Sequence, residues 1–575
     1  MSFGVLVFLI IGSTLMLREN RQSQHELEPN FDQSSGIKFS TLSEQKIEDL
    51  AKLAKVWGFV KYHHPKVVAG ELNWDHELFH VMQKILEDRS DVNVILYEWV
   101  HNLDQDIAAR ELEEPDPFPE ESIQLHPTTD WVHDEELLGS DLSRELSNLL
   151  TTHITNRENA YVHVKDDGYF DMKNEKVHYQ MQFDDTGYRL LGLFRYWNII
   201  EYYYPYKDLS EIEWNQVLQQ FIPKMIEGND YDSYFMTAAE LTAVINDSHV
   251  WLKGEKGKGV SDYFGEYQIP VSFVKIDNQI VISKVFNECG LEVGDIVLKV
   301  DGIDIEEIAE NRKTYISKSR EETFPVFYQA LFRTHQKNAS TTVIREGNEI
   351  TVNTSSKRYR VGGSSVDTES QAMEKGEIYY INAGLLQEGQ IDEIMQEHWN
   401  TKGLIVDLRT YPSTNFSDSL AKYLISSPKE FTIMSFPNSA KPGEFDYEDP
   451  FVSGGSEDGK SGIYKGKVVV LINEHTISHG EFITLLLRKA DHSIVLGRPT
   501  AGANGNVVQF YLPGNILTRI SGLGVFDPEK GRTQGIGVHP DIYLNPTVDG
   551  IVQGRDEYIE KAVELIKNDN PLNAN

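Results

Sequence analysis

The length, composition and charge of this chain limit its architecture and its partners. At 575 residues it is too long for one hydrophobic core, so we expect about three or four domains. A hydrophobic fraction of 40% and an aromatic fraction of 11% are ordinary for globular proteins. The formal net charge of -35 argues against nucleic acid as a partner, because binding phosphates requires a positive surface.

The first residues carry an apolar segment. Residues 1–17 contain no charged side chain and are mostly apolar, and Arg18 follows them. This pattern predicts an export segment within residues 1–20, either a signal peptide or a membrane anchor. We therefore expect an exported protein, located in the periplasm, at the cell surface or outside the cell, with membrane contact only through this segment.

Two related helical units are predicted next. The stretches LAKVWGFVKYHHP at 53–65 and LFRYWNIIEYYYP at 193–205 share the positions of a Trp, a Tyr and a Pro. In both, apolar residues recur at helical intervals, which predicts amphipathic helices that end near the prolines. We predict an N-terminal helical domain at 39–156 and a second helical unit at 161–258, with these aromatic side chains in their cores.

A β-rich region follows the helical units. Short runs such as IPVSFV and DIVLKVDG are separated by Gly and Asn turn signals, as expected for strands. The stretch GLEVGDIVLKVDGIDIEEI at 290–308 resembles the PDZ-domain signature, and we place a PDZ-like domain at 262–356. The resemblance implies binding of an extended peptide, such as a substrate's C-terminus, by strand addition. The alternative is a small β-domain that serves only as a spacer.

From residue 375 to residue 570, strand-like and helical runs alternate. Examples are EIYYINA, IDEIMQEHW, GLIVDLR, FSDSLAKYLI and KVVVLIN. Such alternation predicts an α/β core with a largely parallel sheet. The predicted fold class is thus a multidomain α+β protein that combines helical units, a PDZ-like β-domain and an α/β core.

Ser478 is a candidate nucleophile within this core. After the strand-like run KVVVLIN, the segment EHTISHGEFITLLLRKA places Ser478 at the start of a helix. Free backbone N–H groups and the positive end of the helix dipole can stabilise an oxyanion at such a position. A serine there is also a common helix cap, so position alone does not distinguish the two roles.

The surroundings of Ser478 carry a family resemblance. The stretch VVVLINEHTISHGEFITLLLRKADHSIVLGRPTAGANG at 468–505 resembles the active-site region of the tricorn and carboxyl-terminal-processing serine peptidases. In that family a glutamate follows the serine by three residues, as Glu481 does here, and a glycine-rich turn comes later. GLIVDLR at 403–409 and GIGVHPDI at 535–542 resemble the family's strand before the oxyanion loop and its closing strand. The resemblance implies a ClpP/crotonase-like peptidase core.

The family has two branches with different bases. The processing branch uses a lysine in the glycine-rich turn, where this chain has Ala503 and Asn504. The tricorn branch uses a histidine preceded by a serine, matched here by Ser248 and His249 in LTAVINDSHVWL. The resemblance therefore implies that His249 activates Ser478 and that Ser248 orients the imidazole. We expect Ser478 Oγ and a ring nitrogen of His249 to lie about 2.6 to 4 Å apart.

Two positions depart from the family pattern. Gln534 stands where the tricorn branch has a glutamate that completes a tetrad, and Glu529 is an alternative carboxylate. For the oxyanion hole, the resemblance implies the backbone N–H of His479 and a second donor from the loop 411–414, for which Ser413 is the candidate. The family has glycines in that loop, whereas this chain reads Tyr-Pro-Ser.

Metals and cofactors are not expected. Cys289 is the only cysteine, which excludes an intrachain disulfide and a zinc site made of several thiolates. His63 and His64 lack the His-Glu-x-x-His spacing of zinc peptidases.

The function implied by the resemblance is that of a serine endopeptidase. It would act on a peptide or protein substrate through an acyl-enzyme on Ser478. The alternative is a catalytically weak or inactive protein that binds peptides or lipophilic molecules, since the same core fold occurs in retinoid carriers. Labelling with a fluorophosphonate separates these alternatives, because only an activated serine reacts.

Overall fold

The structure is a computed structural model of the chain. It describes residues 31–39, 41–87, 90–103, 119–152, 154, 157–165, 167–323, 330–358, 366, 368–455 and 462–568. The predicted export segment at 1–20 lies outside the described residues. Among the described residues, no helix is long and apolar enough to span a membrane.

Helices occupy most of the first half of the described chain and recur in the second half. In chain order they are α1 (Glu44–His63), α2 (Pro65–Val68), α3 (Trp74–Glu87), α4 (Val92–Leu103), α5 (Glu135–Leu138), α6 (Ser140–Leu150), α7 (Thr186–Tyr203), α8 (Trp214–Glu227), α9 (Tyr231–Ala243), α10 (Ile305–Lys313), α11 (Gln390–His398), α12 (Ser417–Leu424), α13 (His479–Leu487), α14 (Val548–Val552) and α15 (Glu557–Lys567).

The strands are short and concentrate after residue 266. In chain order they are β1 (Ile123–Leu125), β2 (His163–Val164), β3 (Phe170–Asp171), β4 (Tyr267–Gln268), β5 (Val271–Ile276), β6 (Gln279–Val285), β7 (Ile296–Val300), β8 (Ile303–Asp304), β9 (Arg333–Thr334), β10 (Asn338–Arg345), β11 (Asn348–Ser355), β12 (Gln371–Met373), β13 (Ile378–Asn382), β14 (Gly403–Asp407), β15 (Lys429–Pro437), β16 (Phe445–Tyr447), β17 (Phe451–Ser453), β18 (Lys467–Ile472), β19 (Ser493–Gly497), β20 (Val507–Leu512), β21 (Ile516–Ser521), β22 (Gly524–Phe526) and β23 (Ile542–Tyr543).

The sequence repeat corresponds to a structural repeat. In the first copy, the indole N–H of Trp57 donates to the carbonyl of Trp74 at 3.0 Å, and that of Trp74 donates to the carbonyl of Trp57 at 2.9 Å. Trp197 and Trp214 form the same reciprocal pair at 2.9 and 3.3 Å. All four side chains belong to one hydrophobic core, so the recurring aromatic residues pair two helices within each copy.

The β-rich region forms an antiparallel sheet. Its strand order is β11-β10-β7-β6-β5, and β8 pairs with β7 through a tight turn. Asp301 and Gly302 in that turn have φ angles of 50° and 82°. The run Lys-Val-Asp-Gly therefore supplies a glycine at a position that a side chain would strain. That this sheet binds peptides as PDZ domains do remains a prediction.

A second sheet leads into Ser478, the candidate nucleophile. Its order is β12-β13-β14-β18-β19-β23, with parallel pairing from β13 through β23 and an antiparallel β12 at the edge. Side chains of one face pack with α11 to α13, and those of the other face pack with α15. Because parallel strands end at the same edge, the loops after β13, β14, β18 and β19 gather there.

The hairpin of β20 and β21 packs away from this sheet. Its inward side chains, such as Val508, Phe510 and Ile520, belong to the hydrophobic core of the N-terminal helices. The sequence predicts this segment within the α/β core at 375–570, because local periodicity does not reveal which core a hairpin joins. As a result, a segment from the second half of the chain lies against the helical units.

Candidate active site

Ser478 lies where β18 turns into α13. Its backbone has φ 55° and ψ -118°, a region that residues with side chains rarely adopt. The Ser478 N–H donates to the carbonyl of Ala503 at 2.9 Å and faces Glu481 Oε2 at 3.2 Å. The hydroxyl donates to the carbonyl of Gly505 at 3.4 Å. A strained strand-to-helix turn of this kind is typical of serine nucleophiles.

Glu481 connects Ser478 to the glycine-rich turn. Its buried carboxylate accepts bonds from Thr500 Oγ1 at 2.5 Å and from the N–H groups of Gly502 at 2.9 Å and Ala503 at 3.0 Å. Burial raises the pKa of Glu481 to about 7, and these hydrogen bonds, with that from Ser478, oppose the shift. The glutamate three residues after the serine therefore fixes the geometry of the turn around it.

His249 follows α9 and is 3% exposed. Its Nδ1 lies 2.8 Å from the hydroxyl of Ser521, and its backbone N–H donates to Asp247 Oδ1 at 2.9 Å. In the described part of the chain, Nε2 is buried without a hydrogen-bond partner. Burial lowers the pKa of His249, the charge of Asp247 opposes this, and that of Arg519 adds to it. A neutral imidazole with one free nitrogen is suited to accept a proton near neutral pH.

Asp247 and Ser521 lie beside His249, and no prediction from the sequence included them. Asp247 is fully buried, its Oδ2 accepts the N–H of Ser521 at 2.8 Å, and its Oδ1 lies 3.7 Å from His249 Nδ1. The acid two residues before the histidine in Asn-Asp-Ser-His was an available signal. No local pattern indicated Ser521, which β21 brings to the histidine from 272 positions away.

The structure does not place Ser248 against the imidazole. The Ser248 hydroxyl accepts the N–H of Ser319 at 2.8 Å and lies 3.4 Å from Thr323 Oγ1. Its own N–H donates to Ser319 Oγ at 2.8 Å. The side chains that lie beside the imidazole are those of Asp247 and Ser521, because the segment after α10 occupies the Ser248 hydroxyl.

Gln534 points into the site with different partners from those expected. It is fully buried, and its Nε2 donates to Asp247 Oδ1 at 3.2 Å while its Oε1 accepts the N–H of Asn504 at 3.1 Å. It therefore contacts Asp247 and not Ser248, and it joins the histidine segment to the glycine-rich turn. Glu529, the alternative carboxylate, is exposed.

No hydrogen bond joins Ser478 to His249 in the described part of the chain. Ser478 Oγ is bonded to Gly505, and His249 Nε2 has no partner. The two residues are connected indirectly, since Asp247 contacts Gln534, Gln534 holds Asn504, and Asn504 Oδ1 accepts the N–H of Gly505 at 2.9 Å. These bonds form a short network between the two residues, and the expected distance of about 2.6 to 4 Å between Ser478 Oγ and a ring nitrogen of His249 stays a prediction.

The two predicted oxyanion donors differ in their surroundings. The backbone N–H of His479 has no partner among the described residues, so it is available to a substrate oxygen. The N–H of Ser413 donates to the carbonyl of Ala383 at 3.0 Å, and its hydroxyl donates to Leu386 at 2.5 Å. The assignment of Ser413 to the oxyanion hole is therefore not supported, because both of its donors are already used.

Metal ligands do not cluster around this site. Within the described ranges, no group of three or more His, Cys, Asp or Glu side chains is arranged to hold a metal ion.

Known proteins resemble parts of the chain. Residues 377–544 match peptidase family S41. A protein of Chlamydia trachomatis serovar D and an uncharacterized protein of Chlamydia muridarum are 31% and 32% identical over 107 residues. This chain spans 18% of the length of each of these curated relatives, and each match covers 18% of this chain. The crystal structure of mature CPAF is similar with a TM-score of 0.51 at 15% identity, covering 67% of this chain and 99% of that chain.

A serine in a strained turn at a helix start, together with a histidine held by an acid and a hydroxyl, is the arrangement of serine-type peptidases. Over residues 377–544 the chain is similar to peptidase family S41. The likeness to mature CPAF extends the shared fold beyond that segment.

Proposed function

We propose that this protein is an endopeptidase that cleaves peptide bonds through an acyl-enzyme on Ser478, with His249 as general base. The observation that carries the proposal is the state of the histidine. Its Nε2 is buried and unpaired, while its Nδ1 lies 2.8 Å from Ser521 Oγ. When Nδ1–H donates to Ser521, the lone pair of Nε2 is free to take the proton of Ser478.

The reaction then follows the general course of serine peptidases. As Nε2 takes the hydroxyl proton, Ser478 Oγ attacks the peptide carbonyl, and the oxyanion receives the N–H of His479. His249 next gives its proton to the leaving nitrogen, which breaks the C–N bond and leaves the acyl-enzyme. A water molecule, activated by the same nitrogen, hydrolyses the ester and restores Ser478.

The acid of the proposed site is Asp247 in place of the family's glutamate. Its carboxylate lies 3.7 Å from His249 Nδ1 and carries the charge that stabilises the imidazolium. Gln534 holds this carboxylate through its amide and supplies no charge of its own. For proton transfer, the Ser478 hydroxyl must rotate away from Gly505, since catalytic contacts often tighten only when substrate binds.

The partner we propose is a peptide or protein, and the place of action is outside the cytoplasm. The apolar segment at 1–17 supports export. The edge strand β5 of the antiparallel sheet is the place where a substrate C-terminus would add as a strand. One carbonyl of that strand, at Lys275, already accepts Arg498 Nη1 at 3.0 Å, which links the sheet to the loop after β19.

A second candidate function is peptide or lipophile binding without catalysis. Two observations favour it: the hydrogen bonds do not join Ser478 to His249, and Ser413 has no free donor for an oxyanion. The reactivity of Ser478 toward a fluorophosphonate distinguishes this binding function from the peptidase function.

The test is labelling by a fluorophosphonate probe followed by peptide mapping. We expect the parent protein to be labelled at Ser478, Ser478→Ala not to be labelled, and His249→Ala to react at least about 100-fold more slowly, the usual effect of losing a general base. Lys489→Ala, which changes the nearest lysine after the serine, should keep a rate close to that of the parent. An unlabelled parent protein would contradict the peptidase assignment and favour the binding function.

A further inference from the structure

A segment after α10 contacts the histidine side of the active site. Residues 317–323, which we name the bridging segment, follow the antiparallel sheet's helix and lie along the backbone before His249. The N–H of Asp247 donates to Ser317 Oγ at 2.9 Å, and the N–H of Ser248 donates to Ser319 Oγ at 2.8 Å. The Ser248 hydroxyl in turn accepts the N–H of Ser319 at 2.8 Å. These bonds fix the backbone of Asp247 and Ser248, the residues that directly precede His249.

The same segment contacts the serine side through one side chain. Arg320 Nη1 donates to the carbonyl of Thr500 at 2.8 Å, and Thr500 Oγ1 donates to Glu481. A Cβ atom added to Gly502 would lie 3.3 Å from Arg320 Cδ, and one added to Gly537 would lie 3.1 Å from its Nη1. The guanidinium side chain, only 14% exposed, therefore packs directly on the glycine-rich turn that holds Ser478.

We propose that Arg320 is a positioning residue of the active site. Through the bridging segment, Arg320 fixes the position of the Thr500–Ala503 turn relative to the segment that carries His249. Because the turn holds Ser478, Arg320 also fixes the position of Ser478. This inference rests on the proposed function, since its consequence is a change in the reactivity of Ser478. The inference also connects the antiparallel sheet to the active site, because α10 packs with that sheet and is followed, after residues 314–316, by the bridging segment.

The contacts of Arg320 indicate that its hydrogen bond matters more than its charge. Its ion pair with Glu322 is long, at 3.3 Å, and the glutamate side chain is 61% exposed, so the pair contributes little. The bond to the Thr500 carbonyl is shielded by the glycine turn and connects to the buried Glu481 carboxylate. Lysine can reach this carbonyl as a single donor, whereas a shorter glutamine loses the contact.

The first test compares Arg320→Gln and Arg320→Lys with the full-length parent protein in fluorophosphonate labelling. We expect Arg320→Gln to lower the maximal labelling rate at least tenfold with an unchanged half-saturating probe concentration, and Arg320→Lys to restore part of the rate. The matched control is Arg312→Gln, since Arg312 also donates to backbone carbonyls, those of Ala330 and Arg333, without contacting the active site. Equal rates for Arg320→Gln and the parent, or equal losses in the control, would overturn the inference.

The second test does not depend on catalysis. Hydrogen exchange of the amides of Gly502 and Ala503, which donate to Glu481, should become at least tenfold faster in Arg320→Gln and stay as in the parent in Arg312→Gln. Should the parent protein fail to label, the proposed function is contradicted, while exchange still decides the structural role of Arg320. Unchanged exchange in Arg320→Gln overturns the inference.

Discussion

At the scale of single residues, the groups around His249 determine the pKa of its imidazole. Burial lowers the pKa of His249, and the nearby charges act in opposite directions, since Asp247 raises it and Arg519 lowers it. The lowered pKa keeps the imidazole neutral over a wider range of pH. As the proposed base, His249 is thus available at pH values where an exposed histidine would be half protonated.

The first prediction at this scale concerns pH. On the proposed mechanism, labelling of Ser478 requires neutral His249, so the rate should fall as pH drops through the pKa of that histidine, with a midpoint below the ordinary value of about 6.5. Removing the negative charge in Asp247→Asn should move the midpoint to still lower pH and also slow the reaction. The measurement is the labelling rate between about pH 4 and 9. A midpoint that rises in Asp247→Asn would contradict the assigned contact.

The second prediction concerns the departure at Gln534. The family resemblance alone favours Gln534→Glu as a restoring change, but the structure predicts the reverse, because the new carboxylate would lie beside Asp247, now 3.2 Å from Gln534 Nε2. Two buried carboxylates at that distance cannot both ionise without a large penalty. The labelling rate of Gln534→Glu, relative to the parent, should therefore fall as pH rises.

Gln534→Met is the control for the preceding comparison, since it removes both hydrogen bonds without adding a charge. The labelling rate of Gln534→Met, relative to the parent, should be low at every pH and should not decrease as pH rises. Rates of Gln534→Glu at or above those of the parent throughout would show that Asp247 does not carry the charge of the site.

At the scale of elements, one turn between β19 and β20 holds Ser478, the proposed nucleophile. Ser478 has a strained backbone, and the donors of the turn converge on the Glu481 carboxylate. A buried carboxylate with several donors cannot be replaced by an amide without leaving some of them unpaired. The start of α13 and the glycine-rich turn are therefore held together by the hydrogen bonds to Glu481. These bonds offset the cost of the strained backbone conformation at Ser478.

The prediction at this scale is that Glu481→Gln destabilises the protein. The amide NH₂ must face either the N–H of Gly502 or that of Ala503, and one buried donor left unpaired costs about 1–3 kcal/mol. We expect a loss of that size in the free energy of unfolding, measured by urea denaturation. The exposed Glu388→Gln is the control and should change stability by about 0.5 kcal/mol or less. Equal stabilities of Glu481→Gln and the parent would mean that the turn does not depend on this carboxylate.

At the scale of the whole molecule, a buried ionic cluster joins the two helical units and the hairpin. Arg195 on α7 pairs with Asp75 at 2.9 Å and with Glu175 at 3.0 Å, and Lys61 on α1 pairs with Glu175 at 2.6 Å. Arg195 also donates to the carbonyl of Tyr511 on β20 at 2.9 Å. This ionic cluster, whose side chains are almost fully buried, therefore contacts the hairpin of β20 and β21 through Arg195. The same hairpin carries Ser521, which lies next to His249.

The prediction at this scale is that Asp75→Asn costs about 3–5 kcal/mol of stability, because it leaves the positive charge of Arg195 in the interior without full compensation. Asp184→Asn is the control, since it breaks an exposed pair with Lys38 whose side chains are 67% and 56% exposed. That change should cost less than about 1 kcal/mol. Urea unfolding curves measure both, and similar small losses in the two variants would contradict the role of the cluster.

The sequence by itself determined the features that depend on local pattern. The paired helices followed from a repeated aromatic motif and the parallel strands from the alternation of strand and helix. Ser478 and His249 became candidates because the short motifs around them resemble those of a known family. In each case residues close in the chain carry the signal, because helical and strand periodicity and a strand-to-helix turn act over a few positions.

Only the tertiary structure decided how the candidates are held. Asp247 and not Ser248 faces the imidazole, because the bridging segment takes up the Ser248 hydroxyl. Gln534 reaches its partner across 287 positions, and Ser521 reaches His249 across 272. Contacts between residues so far apart depend on how hairpins, loops and helices pack against one another, and the local sequence does not encode which of many exposed donors and acceptors that packing will bring together.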